Sequence, residues 1–225
     1  ILAKTGGGKS YTAGVLIEEL LEKNVPLLII DPHGEYLALK YENRSEEERK
    51  QMEKFGISPK GYASKVVVYT PSNFSINPAA DKLFRIDGIN LSVNELYDLF
   101  PLSDAQLGVL YRGINEIKAE KEFYTIEDII KKMAESKSSA KWRIIHFLER
   151  IRETGILSDS PTRIEELVKV GQASIIDMKG AEPRLQQLIV YRVCKEVFEG
   201  RKMGKIPPFM LVVEEALNFC PERGF

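Results

Sequence analysis

The stretch AKTGGGKS occupies residues 3–10 and runs directly into YTAGVLIEELLEK. It most restricts what this chain can fold into. A glycine-rich loop ending in Gly-Lys-Ser binds phosphate only between a strand and the N-terminus of a helix, where backbone N–H groups converge on an anion. Gly8, Lys9 and Ser10 match the invariant end of the phosphate-loop pattern, and Gly6, Gly7 and Gly8 supply its middle. Ala3 stands where the first glycine is usual, a small residue that the turn out of a strand can tolerate. Glycine here allows close approach of backbone to ligand and a positive φ. Lys9 is expected to reach the β and γ phosphates and Ser10 to coordinate Mg²⁺. Thr5, Gly6, Gly7, Gly8 and Tyr11 complete the expected nucleotide-binding set. After the loop, Leu16, Ile17, Leu20 and Leu21 share one helical face, with Glu18, Glu19, Glu22 and Lys23 opposite. That spacing predicts a helix from about Lys9. Ile1 and Leu2 read as the end of the strand before the loop.

Four short apolar runs follow: VPLLII at 25–30, KVVVYT at 65–70, ASIID at 173–177 and FMLVV at 209–213. Unbroken runs of this length suit strands buried on both faces of a parallel sheet. Helical stretches between them predict a layered α/β core. Residues 85–168 differ, carrying helical periodicity in four segments. Ser92, Ser103 and Thr125 are expected N-caps, each with Glu, Gln or Asp three residues on. The expected organisation is therefore a first core part over 1–84, a helical insertion over 85–168 and a second core part over 169–225. The mixed-charge run ENRSEEERKQMEK at 42–54 reads as a solvated helix or loop.

Acids at strand ends supply the second half of a nucleotide site. FMLVV ends in Glu214-Glu215, and LLIID ends in Asp31 before a Pro-His-Gly turn. Ligands in open parallel sheets bind at the carboxyl ends of the strands. Glu214 is expected to hold Mg²⁺, Glu215 to act as general base on an attacking water, and Asp31 to approach the metal or its water shell. The competing reading of Asp31 is a cap on the turn that follows. Asp177, also at a strand end, reads as structural. A zinc site on His33 is disfavoured, because His146 is the other histidine and falls in the helical insertion.

Composition sets further bounds. The 225 residues are 44% hydrophobic and carry a formal net charge of −1, so no bulk positive field advertises nucleic acid. Cys194 and Cys220 stand alone, which suits a reducing, intracellular and cytoplasmic setting. No apolar run reaches 18 residues, so no membrane partner is expected. The chain starts at Ile1 and reads as a piece of something longer.

LAKTGGGKSYTAGVLIEELLEK, LLIIDPHGEY and MLVVEEALNFCPERGF together resemble the HerA ATPases of the FtsK–HerA superfamily. The resemblance covers both ends of the chain well and the helical middle loosely. It implies a RecA-like P-loop NTPase core with a helical insertion, ATP and Mg²⁺ as cofactors, and a homo-hexameric ring that translocates double-stranded DNA. It also implies work with a NurA-type nuclease in end resection and recombinational repair. Lys9 and Ser10 match the family's phosphate and metal positions, and Asp31, Glu214 and Glu215 its acidic ones. Leu217 departs from the histidine usual after Glu-Glu-Ala. An N-terminal barrel and a trans-acting arginine finger would lie outside residues 1–225, so this stretch is expected to bind nucleotide better than it hydrolyses it. The alternatives are a secretion- or conjugation-type ATPase of the same superfamily, or a nucleotide-binding module without motor activity. A GTPase is disfavoured because no Asn-Lys-x-Asp string occurs.

Overall fold

A computed structural model describes residues 8–99 and 102–220. Two compact units make up the chain: residues 1–83, 163–180 and 195–225 form the first, and residues 84–162 with 181–194 the second.

The first unit is built on a parallel sheet. Strand β1 (Leu27–Asp31) pairs with β6 (Ala173–Asp177) on one side and β7 (Met210–Val213) on the other. Beyond β6 lie β2 (Val66–Thr70) and the two-residue β3 (Lys82–Leu83), giving the order β3-β2-β6-β1-β7. All residues of β1 and β6 are buried, as strands covered on both faces require. Helix α1 (Lys9–Glu22) lays Ile17 and Leu21 against Leu27, Ile29, Val66, Val68 and Ile175. Each such side chain removed from water contributes about 1.5–3 kcal/mol. Helix α2 (Glu46–Lys54) starts at Ser45, whose side chain accepts from Glu48 N, and buries nothing. The charged run is thus a solvated helix. The short α7 (Ile164–Leu167) completes the unit together with the second part of α8 (Pro183–Lys202).

The second unit holds α3 (Val93–Leu99), α4 (Asp104–Glu120), α5 (Ile126–Glu135), α6 (Lys141–Thr154) and the first part of α8. Its core includes Leu110, Ile114, Ile117, Ile129, Met133, Ile144 and Leu148, all nearly inaccessible. Ser103 and Thr125 each form a capping box with Gln106 and Asp128. Ser92 and Glu95 exchange the same pair of bonds at the start of α3. A two-stranded parallel pairing of β4 (Ile86–Asp87) with β5 (Leu157–Ser158), which periodicity does not foreshadow, joins the ends of residues 84–162.

Candidate nucleotide site

The sheet's register sets the site. Parallel pairing aligns Asp31 with Asp177 and Ile30 with Val213, and Glu214 N extends the ladder by donating to Ile30 O at 3.0 Å. Three carboxylates thus leave the sheet at one level, on its carboxyl edge.

Helix α1 starts at that edge. Gly8, its N-cap, sits in the left-handed region at φ 76° with open space where a Cβ would lie. Glycine is needed there for conformation rather than for room. By helix geometry the N–H groups of the first turn lack an intrahelical acceptor, and no acidic side chain occupies that turn. Lys9 and Ser10, in the first turn, are half-buried. Ala3, Thr5, Gly6 and Gly7 lie outside the described residues.

Ser10 and Glu214 meet across 204 residues of sequence. Ser10 Oγ donates to Glu214 Oε1 at 3.3 Å, and Tyr36 Oη donates to Oε2 of the same carboxylate at 2.7 Å. Tyr36 is 3% exposed. Burial, then the hydrogen bond to Glu214, pushes its phenol well above the usual range, so it remains a donor. Tyr36 is the residue that sequence reasoning missed. Its signal is a phenol five residues after an acid-ended strand, at the close of a Pro- and Gly-containing turn.

Asp31, expected to approach the metal or its water shell, is tied into the turn that follows it. It is fully buried, and its carboxylate accepts four backbone N–H groups. Oδ1 takes His33 at 3.2 Å, Gly34 at 2.8 Å and Glu35 at 3.1 Å, and Oδ2 takes Tyr36 at 2.9 Å. Three donors fill Oδ1, while Oδ2 takes one and keeps a further acceptor site. The turn-cap reading is the one this geometry carries. Gly34 makes the tight return possible at φ 77° and brings the loop against the Asp177 carboxylate. Asp177 is 1% exposed and accepts from Lys179 N at 3.0 Å. Burial, reinforced by the negative charge of Asp31, raises its carboxyl above the ordinary range.

Glu215 is exposed and adopts φ 49°, ψ 45°, a left-handed conformation that costs a residue with a Cβ about 1–2 kcal/mol. It ends the strand and starts a short 3₁₀ turn, Ala216–Asn218. Leu217, at the position of the family's histidine, is 71% exposed. Beside Tyr11, a cavity of about 530 Å³ is lined by Met52, Phe55 and Ile57, with Glu47 and Gln51 among its polar residues.

The donor set suits Mg²⁺. A serine hydroxyl and a carboxylate are hard oxygen ligands, and Mg²⁺ usually takes one or two protein oxygens and fills its octahedron with phosphate and water. No group of three or more His, Cys, Asp or Glu among the described residues makes an all-protein metal cage. Among the described residues no helix is long and apolar enough to cross a membrane.

Comparison with known proteins gives the family and the fold. The family described as the central domain of helicase HerA matches residues 1–197. The DNA double-strand break repair helicase HerA of Sulfurisphaera tokodaii is 25% identical over 232 residues, covering 96% of this chain and 43% of its own length. The same-named helicase of Saccharolobus solfataricus is 23% identical, covering 99% of this chain and 44% of itself. The chain therefore spans less than half the length of these curated relatives. VirB4 of Thermoanaerobacter pseudethanolicus superposes with a TM-score of 0.52 at 19% identity, over 94% of this chain and 82% of that one, which establishes a shared P-loop NTPase fold. With that fold and a match over residues 1–197, the chain belongs to the HerA central-domain family of ATPases.

Proposed function

We propose that this chain is the ATP-hydrolysing core of a ring-forming motor that moves on double-stranded DNA. The observation that carries the reading is the Ser10–Glu214 contact, which joins the two halves of a Mg²⁺-nucleotide site from opposite ends of the chain. The N–H groups at Gly8, Lys9 and Ser10 cradle the phosphates, and Lys9 neutralises charge on the terminal ones, with Thr5, Gly6 and Gly7 belonging to the same nucleotide-binding set. Ser10 and Glu214 hold Mg²⁺, which when bound draws charge from the phosphate oxygens. Glu215 orients and deprotonates water. Asp31, expected among the metal ligands, serves by fixing the loop. The cavity beside Tyr11 receives the nucleobase, with Phe55, Ile57 and Met52 as its apolar wall.

DNA as substrate is supported by the names of the relatives, DNA double-strand break repair helicases. A homo-hexamer, a NurA-type nuclease partner and a role in end resection belong to the same proposal. Two loops, residues 60–65 and 137–143, offer cations for phosphate contact. Lys60 is paired with Glu22 at 2.9 Å, and Lys65 caps α1 through Leu21 O at 2.9 Å. Residues 137–143 also expose Lys137, Trp142 and Arg143, a mixture of cation and aromatic that suits phosphate and base.

The test is ATPase turnover with and without duplex DNA. DNA stimulation that Lys9→Ala abolishes is the expected result. Turnover indifferent to DNA would instead favour the secretion- or conjugation-type reading, and no turnover or nucleotide binding at all the motor-free module.

A further inference from the structure

The loop over residues 31–36 is built as a bracket. Its base is Asp31, buried and holding four successive backbone N–H groups; its tip is the Tyr36 hydroxyl on Glu214. Asp31 Oδ2 holds the backbone N–H of Tyr36 itself, so the ring is fixed both through its backbone and by burial. A phenol has two rotatable side-chain bonds, and here neither has room to turn. Glu214, by contrast, is only half-buried at a strand end. Its two oxygens divide cleanly, Oε2 to Tyr36 and Oε1 to Ser10.

We propose that Tyr36 is a positioning residue for the metal site: its hydroxyl pins Oε2 of Glu214 so that Oε1 stays beside Ser10, where the Mg²⁺ of the nucleotide is held. The inference rests on the reading of Gly8, Lys9, Ser10 and Glu214 as a Mg²⁺-nucleotide site. It also gives Asp31 a contribution to the metal site through the loop that carries Tyr36. An O–H···O⁻ bond at 2.7 Å is charge-assisted and strongly directional. With Mg²⁺ held by Ser10 and Glu214 Oε1, the Ser10 hydroxyl would no longer orient the carboxylate by its hydrogen bond, and Tyr36 would be the partner that keeps it aimed. Without it the carboxylate samples other rotamers, and metal affinity falls by roughly tenfold, the worth of one hydrogen bond to a charged group.

The test is binding of a fluorescent ATP analogue across a Mg²⁺ titration, in the wild type, Tyr36→Phe, Glu214→Gln and the double variant, with Lys9→Ala alongside. Phenylalanine keeps the buried ring, and a matching circular dichroism melt verifies the fold. Tyr36→Phe is expected to leave metal-free nucleotide affinity unchanged, to need roughly tenfold more Mg²⁺ for half of the metal-dependent gain, and to recover fully at saturating Mg²⁺. A merely structural defect would not be cured by metal. In the Glu214→Gln background the Tyr36→Phe change is expected to add nothing. Asp31→Asn, which keeps the hydroxyl but weakens the loop, should shift the Mg²⁺ requirement in the same direction. A Tyr36→Phe titration that superposes on the wild type, or additive effects in the double variant, overturns the proposal and leaves the nucleotide site standing. Undiminished nucleotide binding by Lys9→Ala overturns the site reading, and this proposal with it.

Discussion

Glu214 and Glu215 are adjacent, yet their surroundings differ. Glu214 is clamped by two hydroxyls, while Glu215 is exposed on a left-handed backbone. Their variants should separate accordingly. Glu215→Gln is expected to keep nucleotide affinity within about twofold and to lower turnover by about 10²–10⁴, the range for losing a general base. Comparing equilibrium binding with steady-state hydrolysis checks it; equal losses in both would refute the role. Asp177 gives a pH signature. Its folded-state carboxyl is raised by burial, so the native state keeps a proton that the unfolded chain has released. Stability then falls as pH rises from about 3.9, the unfolded value, and levels off above the raised native one. Asp177→Asn cannot ionise, so its stability relative to wild type should climb across that window. Urea melts from pH 3.5 to 7 read the difference, and a flat one would contradict the assignment. The acids at strand ends were visible in the sequence, because an apolar run ending in Asp or Glu is a local pattern. The turn cap at Asp31 was legible only as one of two readings, since its four bonds depend on a loop doubling back over five residues.

The strands and capped helices were legible for the same local reason. β1, β2, β6 and β7 coincide with the apolar runs, and Ser92, Ser103 and Thr125 cap the helices that their spacing predicts. The β4–β5 pairing was not legible, because two residues carry no period and their partners are about 70 positions apart. Nor does a helix change its periodicity where it passes from one unit to another, so α8 gave no hint that residues 181–194 join the helical unit. At this scale the loop after β1 is the sensitive element. In Gly34→Ala a Cβ would meet Asp177 Oδ1 at 3.4 Å, an ordinary contact, so the cost is conformational. It should come to about 1–2 kcal/mol in a denaturant melt. The same variant should raise the Mg²⁺ requirement for nucleotide binding, since it strains the loop that carries Tyr36. Ser103→Ala, in the other unit, is expected to lose about 1 kcal/mol with no change in nucleotide binding.

For the whole molecule, ligand linkage gives a direct readout. Mg·ATP at a hundred times its Kd stabilises the native state by about 2.7 kcal/mol, visible as a rise in Tm, and Lys9→Ala should show none. DNA binding should weaken steeply with salt, and Lys137→Ala with Arg143→Ala should reduce the slope of log affinity against log salt by about 2. An unchanged slope would move the contact elsewhere. The conformation of Glu215 bears on how the molecule is handled as well as on how it works. Glycine at 215 would relieve the left-handed residue and is expected to raise stability by about 1 kcal/mol, while removing the carboxylate proposed to activate water. Any selection that rewards only yield or heat resistance therefore favours loss of the proposed general base. Stabilising variants of this chain have to be sorted by turnover before they are kept.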